Sequence, residues 1–291
     1  MNPQPKTWQV VLALLSVYLI WGSTYLAIKV AVGEHDFPPL LMGGIRHLTA
    51  GVILFAFLRM RGEAVQSRAE WIGASVMGIF LLLGGNGGVV IAEADANIGS
   101  GLAALVIATM PLWAALFSTL LGHRLAWREW LGLLIGFSGI VLLNLNGNLN
   151  WSTGAIALII ASMSWAFGST ISRKLTLPKG FMASAAQMIM GGVIMTAVNF
   201  FVGSPMTRAP RWEAIVALAY LILFGSVIAY TGYVFLLKNV RPALATSYAY
   251  ANHIVAVILG VLLAGEKVGA IEIAAMVVIL VGVGIVVTGK K

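Results

Sequence analysis

The sequence predicts an all-α integral membrane protein: ten transmembrane helices in two inverted five-helix repeats, with both termini cytoplasmic. Three observations carry this reading. Of the 291 residues, 60% are hydrophobic and only 10% are charged, and the mean hydropathy is +0.95. Soluble domains carry about 25% charged residues, so lipid must solvate most of this surface. Apolar segments of about 20 residues, enough to cross a bilayer, can be placed ten times along the chain. Finally, basic residues gather in alternate connections, and the second half of the chain echoes the first.

The first span, roughly 10–31, follows Lys6 and is too long for a signal-peptide core, so it is read as an uncleaved first helix. The next four fall at roughly 38–59, 71–92, 99–121 and 127–146, and the last five at roughly 152–173, 181–202, 212–236, 242–263 and 269–288. The connections RMRGEAVQSRAE, GHRLAWRE and NLNGNLNW leave no room for a soluble domain. Glycine, present 33 times, is tolerated in bilayer helices and allows close backbone approach.

Charge tests the count. With a cytoplasmic N-terminus, the inside segments hold Lys6, the 59/61/68 arginines, Arg124 and Arg128, Arg173 with Lys174 and Lys179, Lys238 and Arg241, and Lys290 and Lys291. The outside loops hold only Arg208, Arg211 and Lys267, and Lys29 and Arg46 lie within spans. Such asymmetry is what the positive-inside rule demands. The net charge of +8 is then read as basic loops facing anionic lipid headgroups, not nucleic acid. With no cysteine, disulfides and thiolate metal sites are excluded.

The repeat divides the chain into 1–147 and 148–291. Asn97, Ala103, Ala114 and Leu120-Leu121 align with Asn239, Ala245, Ala256 and Leu262-Leu263; after one inserted residue, Gly122, Glu129 and Gly139 match Gly265, Glu272 and Gly282. WGST at Trp21 resembles WAFGST at Trp165. Five helices per copy, an odd number, invert the second copy across the membrane. Many secondary transporters have this design, with substrate sites near the midplane between repeats.

IWGSTYLAIKVAV, GGIRHLTAG, the NIGSGLAA stretch at Asn97, SWAFGST and RPALATSYAYANHIVAVILGVLLAGE together resemble EamA-type members of the drug/metabolite transporter superfamily, in particular its YedA-like inner-membrane members. The resemblance covers nearly the whole chain. It implies ten helices, a central cavity walled by the first four helices of each half, and movement of small metabolites, amino acids or drugs across the inner membrane. Relatives usually have a proline after the asparagine of the ninth helix, whereas His253 follows Asn252 in this chain.

No HExxH, GxSxG, Walker A or Gly-rich dinucleotide turn occurs in the sequence, so no catalytic residue, metal site or cofactor is expected. The cluster Glu34-His35-Asp36 is read as a solvated external loop. With no nucleotide-binding motif, transport would draw on a proton, a counter-substrate or the substrate's own gradient. The alternatives are an integral-membrane enzyme acting on lipid, which would need clustered acids or histidines at one interface, and a scramblase or structural subunit.

Trp21, Tyr25 and Lys29 recur at four-residue spacing along one helical stripe, and Trp165, Ser169 and Arg173 repeat it, while aligning GST with GST shifts the register by two. This is either an aromatic and hydroxyl wall facing a cavity or an interfacial belt, with the cations snorkelling. Arg46, roughly 12 Å into its helix, must face a bundle interior or wet cavity. It either receives a substrate carboxylate or pairs with Glu93 or Asp95. Gln187 is its counterpart in the seventh helix. In GGNGG, the glycines at 84–88 allow close helix crossing or mark unwound backbone, and Asn86 can present its amide to the cavity. Tyr230 and Tyr233 are read either as cavity aromatics or as hydroxyls that hydrogen-bond a neighbouring helix. Tyr248 and Asn252 share a face of the ninth helix. His253 lies on a neighbouring stripe of mostly small residues, where it either hydrogen-bonds within the bundle or contacts substrate or a coupling proton. Without proline, the ninth helix is expected to run straighter than the fourth, which contains Pro111. The expected partners are thus a small-molecule substrate, a proton or counter-substrate, and membrane lipid.

Overall fold

The computed structural model describes residues 5–33, 36–95, 106–122, 125–143, 153–202, 205–206, 208–252, 254–255, 258 and 269–288. Among them the chain is helical throughout, with no strand. Its helices are α1 (Thr7–Ala31), α2 (Pro39–Met60), α3 (Arg68–Glu93), α4 (Met110–Leu120), α5 (Trp127–Leu143), α6 (Thr153–Lys174), α7 (Met182–Val202), α8 (Trp212–Asn239), α9 (Pro242–Thr246) and α10 (Ala270–Thr288). Six of these (α1, α2, α3, α6, α7 and α8) are long and apolar enough to cross a membrane, and Met110–Leu120 and Ile273–Val286 form shorter apolar helices.

Local sequence sets the ends. Ser67 Oγ accepts the Glu70 N–H at 3.3 Å and the Ser67 N–H donates to Glu70 Oε2 at 2.8 Å, a reciprocal box that starts α3. Pro39 and Pro242 occupy the first turns of α2 and α9, where a missing N–H costs nothing. Gly62 and Gly122 stop the chain after α2 and α4 at φ of 84° and 90°, a left-handed geometry that a side chain would strain.

The helices are apolar on all sides, so each buries one stripe against its neighbours and leaves further apolar side chains exposed. Along α1, Ala13, Val17, Trp21, Thr24 and Ile28 are buried, while Leu12, Leu15, Leu19 and Leu26 are exposed. Helix α2 packs chiefly against α7, and α5 against α10. Both contacts are backbone-close: a Cβ on Gly51 would stand 2.7 Å from the Ile189 nitrogen, and one on Gly139 would stand 2.8 Å from Ile279 Cγ1. Helix α1 lies against α8, and α6 against α3.

Two helices are rewound at their centres. Gly78–Gly87 of α3 and Leu221–Tyr230 of α8 are π-helical, a winding that tends to occur at functional sites. The GGNGG segment is therefore helical, not unwound. It also makes a close crossing: side chains at Gly84 and Gly85 would collide with Ser164 and Trp165 of α6.

The ninth helix departs from expectation. It is interrupted at Ser247 and resumes at 248–252, just as the fourth is interrupted at 108–109 ahead of Pro111. No proline is needed for the break: Thr246 Oγ1 and Ser247 Oγ donate back to the Pro242 and Leu244 carbonyls at 3.0 and 2.8 Å, competing with the backbone ladder. His253 lies outside the described residues.

At one end, Asp36 accepts the Arg211 backbone N–H at 2.8 Å and its Nε and Nη2 at 3.0 and 2.7 Å, tying the α1–α2 connection to the start of α8. These bonds push the Arg211 guanidinium above its ordinary value. Elsewhere, Arg241 pairs with Glu129 at 2.6 Å and donates to the Val286 carbonyl at 2.9 Å, joining α9 to α5 and α10.

Candidate functional site

The inward stripes of α1 and α6 converge on four aromatic rings. Trp21 and Trp165 meet edge to face at 5.4 Å between ring centroids. Tyr233 of α8 lies 5.2 Å from Trp21 and 5.5 Å from Trp165, and Tyr248 stands edge-on to Trp21 at 4.8 Å. Hydrogen bonds fix this box. Trp21 Nε1 donates to the Gly225 carbonyl at 2.9 Å, within the π-helical part of α8. The Ser169 and Tyr233 hydroxyls are 2.5 Å apart, and Ser169 also donates to the Trp165 carbonyl at 2.6 Å. Trp165 Nε1 is buried without a partner.

Beside the box is a cavity of about 60 Å³ walled by Trp21, Thr24, Tyr25, Arg46, Asn86, Ser162, Trp165, Tyr248 and Asn252, among others. Binding pockets for drug-sized ligands are typically about 300–1,000 Å³, so a metabolite enters only if the surrounding helices move apart. In the orientation its surroundings satisfy, the Asn252 amide donates to the Tyr248 and Tyr18 carbonyls at 3.1 and 3.0 Å. Together with the 2.5 Å contact of the Tyr18 and Ser247 hydroxyls, this pins the 247–252 segment to α1.

Arg46 is 2% exposed. It pairs with neither Glu93 nor Asp95: Nε donates to Ser226 Oγ at 2.9 Å, and Nη1 is buried without a partner. Asp95 instead accepts the Gly154 N–H at 3.0 Å. A buried guanidinium with no counter-ion costs on the order of several kcal/mol.

His47, which sequence reasoning passed over beside its charged neighbour, links three helices. Its Nε2 lies 3.2 Å from Asn86 Oδ1 and its Nδ1 lies 3.4 Å from Ser226 Oγ. The consistent assignment has Arg46 Nε–H donating to Ser226, the Ser226 hydroxyl donating to Nδ1, and Nε2–H donating to Asn86. Gln187 and Tyr230 do not wall the cavity. They meet each other nearby, the Tyr230 hydroxyl donating to Gln187 Oε1 at 2.8 Å and Gln187 Nε2 remaining unpartnered. Lys29 is exposed, and Arg173 turns away to the Leu237 and Val240 carbonyls at the end of α8. The stripe cations are thus outside the site. No group of three metal-ligating side chains occurs among the described residues.

A model of the EamA-like transporter family matches the sequence twice, at residues 8–145 and 152–288. The chain belongs to the EamA-like transporter family. It is 45% identical over 279 residues to the uncharacterized inner membrane transporter YedA of Escherichia coli (strain K12), covering 96% of this chain and 90% of that one. The uncharacterized transporter YoaV of Bacillus subtilis (strain 168) is 26% identical over 233 residues, covering 78% and 77% of the two chains. A crystal structure sharing 19% identity superposes with a TM-score of 0.78 over 98% of this chain and 99% of the other, a likeness of fold. Family membership and the apolar helices make this a multi-pass inner-membrane protein with a transport role.

Proposed function

We propose that this EamA-family chain is a secondary active transporter that exports small metabolites, amino acids or drugs across the inner membrane by alternating access. The observation that carries the proposal is the edge-to-face meeting of Trp21 and Trp165 at 5.4 Å. These tryptophans occupy similar motifs in the two halves of the sequence and line one cavity.

The architecture proposed with it is ten spans, both termini cytoplasmic, divided as 1–147 and 148–291 into inverted repeats. In support, α2 packs on its counterpart α7 and α5 on α10, while the counterparts α3 and α8 share a π-helical centre. Such pairings follow naturally from a two-fold axis in the membrane plane. The transport path is assigned to Trp21, Tyr25, Arg46, Asn86, Trp165, Ser169, Gln187, Tyr230, Tyr248, Asn252 and His253. Trp21 and Trp165 form the seal that opens toward one face or the other. The driving force is a proton or a counter-substrate.

Purified protein reconstituted in vesicles should move at least one member of a broad panel of labelled amino acids and organic ions, saturably and faster than empty vesicles. Trp165→Ala should lower that saturable flux about tenfold or more, since it removes the ring that packs on Trp21 and lines the cavity. Absence of substrate-dependent flux across the whole panel contradicts the proposal.

A further inference from the structure

The geometry points to Arg46 as the binding site for a carboxylate carried by the transported molecule. The inference rests on the transport reading and names its substrate class: small organic acids, zwitterions included, with an apolar or aromatic body.

An arginine keeps its charge in proteins, and this one is 2% exposed at the centre of a helix. No carboxylate pairs with it among the described residues, and no Asp or Glu walls the cavity it faces. The protein nonetheless holds the guanidinium in a defined pose. Ser226 takes Nε at 2.9 Å, and Ser226 is in turn held by His47, which leans on Asn86. Nη1 has no partner. Gly225, next to Ser226 on α8, leaves room for the head group: a Cβ there would stand 2.7 Å from Nη2.

Nε is therefore anchored while Nη1 keeps an unused donor. A carboxylate satisfies such a donor with a charge-assisted bond, and the missing counter-charge arrives with the ligand. The same Gly225 carbonyl accepts Trp21 Nε1, so the cation and the aromatic box share one backbone segment. An acid bound at Arg46 would lay its body against Trp21, Trp165 and Tyr248.

The test measures binding to the purified full-length protein by calorimetry, using matched acid and amide pairs: benzoate and benzamide, phenylacetate and phenylacetamide, phenylalanine and phenylalaninamide. At least one acid should bind about tenfold or more tightly than its amide, the scale of one buried charge-assisted contact. Arg46→Gln should abolish that preference and Arg46→Lys should retain part of it.

Equal binding of acid and amide in every pair overturns the assignment, and this readout on the wild-type protein holds even where Arg46→Gln fails to fold. A preference that survives in folded Arg46→Gln also overturns it. So does competition by chloride or phosphate alone with no acid bound, which marks an adventitious ion only. Nanodiscs with and without phosphatidylglycerol form a further arm: acid binding lost only with the anionic lipid assigns Arg46 to a headgroup and overturns the proposal. Acids that bind without flux would sink the transport reading and leave the site standing; flux of amines with no acid preference would do the reverse.

Discussion

At the scale of single residues, hydrogen bonds inside the aromatic box set how firmly it is closed. Ser169→Ala removes the 2.5 Å partner of the buried Tyr233 hydroxyl, and leaving such a group unpaired costs about 1–3 kcal/mol. A lowered unfolding midpoint in detergent would register it. Trp21→Phe keeps a ring in the box but deletes the bond to the Gly225 carbonyl and leaves space beside it, so it should cost at least the same about 1–3 kcal/mol. A Trp21→Phe protein as stable as the wild type would contradict this. Much of this box was legible in the chain, because four-residue spacing marks one helical face, and Trp21 with Tyr25 does wall the cavity. Arg173 shows the limit of that rule. It continues the stripe of Trp165 and Ser169 but lies past the end of the regular α-helix, in a tighter turn that swings it toward α8. His47 was hidden for a different reason: its importance comes from Ser226, on a helix 179 residues away in sequence.

At the scale of helices, contact geometry is set by glycine and by local winding. Gly51→Val would place its Cβ 2.7 Å from the Ile189 backbone nitrogen. Backbone cannot step aside as a side chain can, so α2 and α7 must separate. A cost at or above the about 1–3 kcal/mol of ordinary overpacking is expected, whereas Gly62→Ala, at a turn with no neighbour within 4 Å, strains only its own positive φ. Unfolding measurements that rank Gly62→Ala as the worse would contradict this. The span limits read from apolar length fall close to the six long apolar helices α1, α2, α3, α6, α7 and α8, but residue spacing does not reveal the π-helical centres of α3 and α8. They arise where neighbouring helices demand a local rewinding, which no residue spacing announces. The break after α9 has no proline to announce it; two hydroxyls bonded back to the Pro242 and Leu244 carbonyls accompany it. The Asp36–Arg211 clamp offers a cleaner element-level test. Arg211 lies above its ordinary value, so its contribution is full below that value and is lost only as pH rises through the raised one. No loosening from this group is expected between about pH 6 and pH 9. In Asp36→Ala, the Arg211 amide, which donates to Asp36 at 2.8 Å, should exchange hydrogen faster. Unchanged exchange would show that the clamp does not hold the start of α8.

At the scale of the whole molecule, composition alone identifies lipid as the solvent, and the repeated motifs direct attention to one central place. What composition could not convey is that this place is nearly closed, with about 60 Å³ open beside the tryptophan pair. A path through the protein then requires the cavity to open to each side in turn, and the absence of native cysteine makes that directly measurable. Thr24→Cys and Ser162→Cys, each nearly isosteric and each on the cavity wall, can be challenged in oriented vesicles with a membrane-impermeant maleimide from either face. Alternating access predicts that both positions label from both faces, and that a transported ligand shifts the balance between them. Labelling from one face only, or from neither, in the presence and absence of ligand would contradict it.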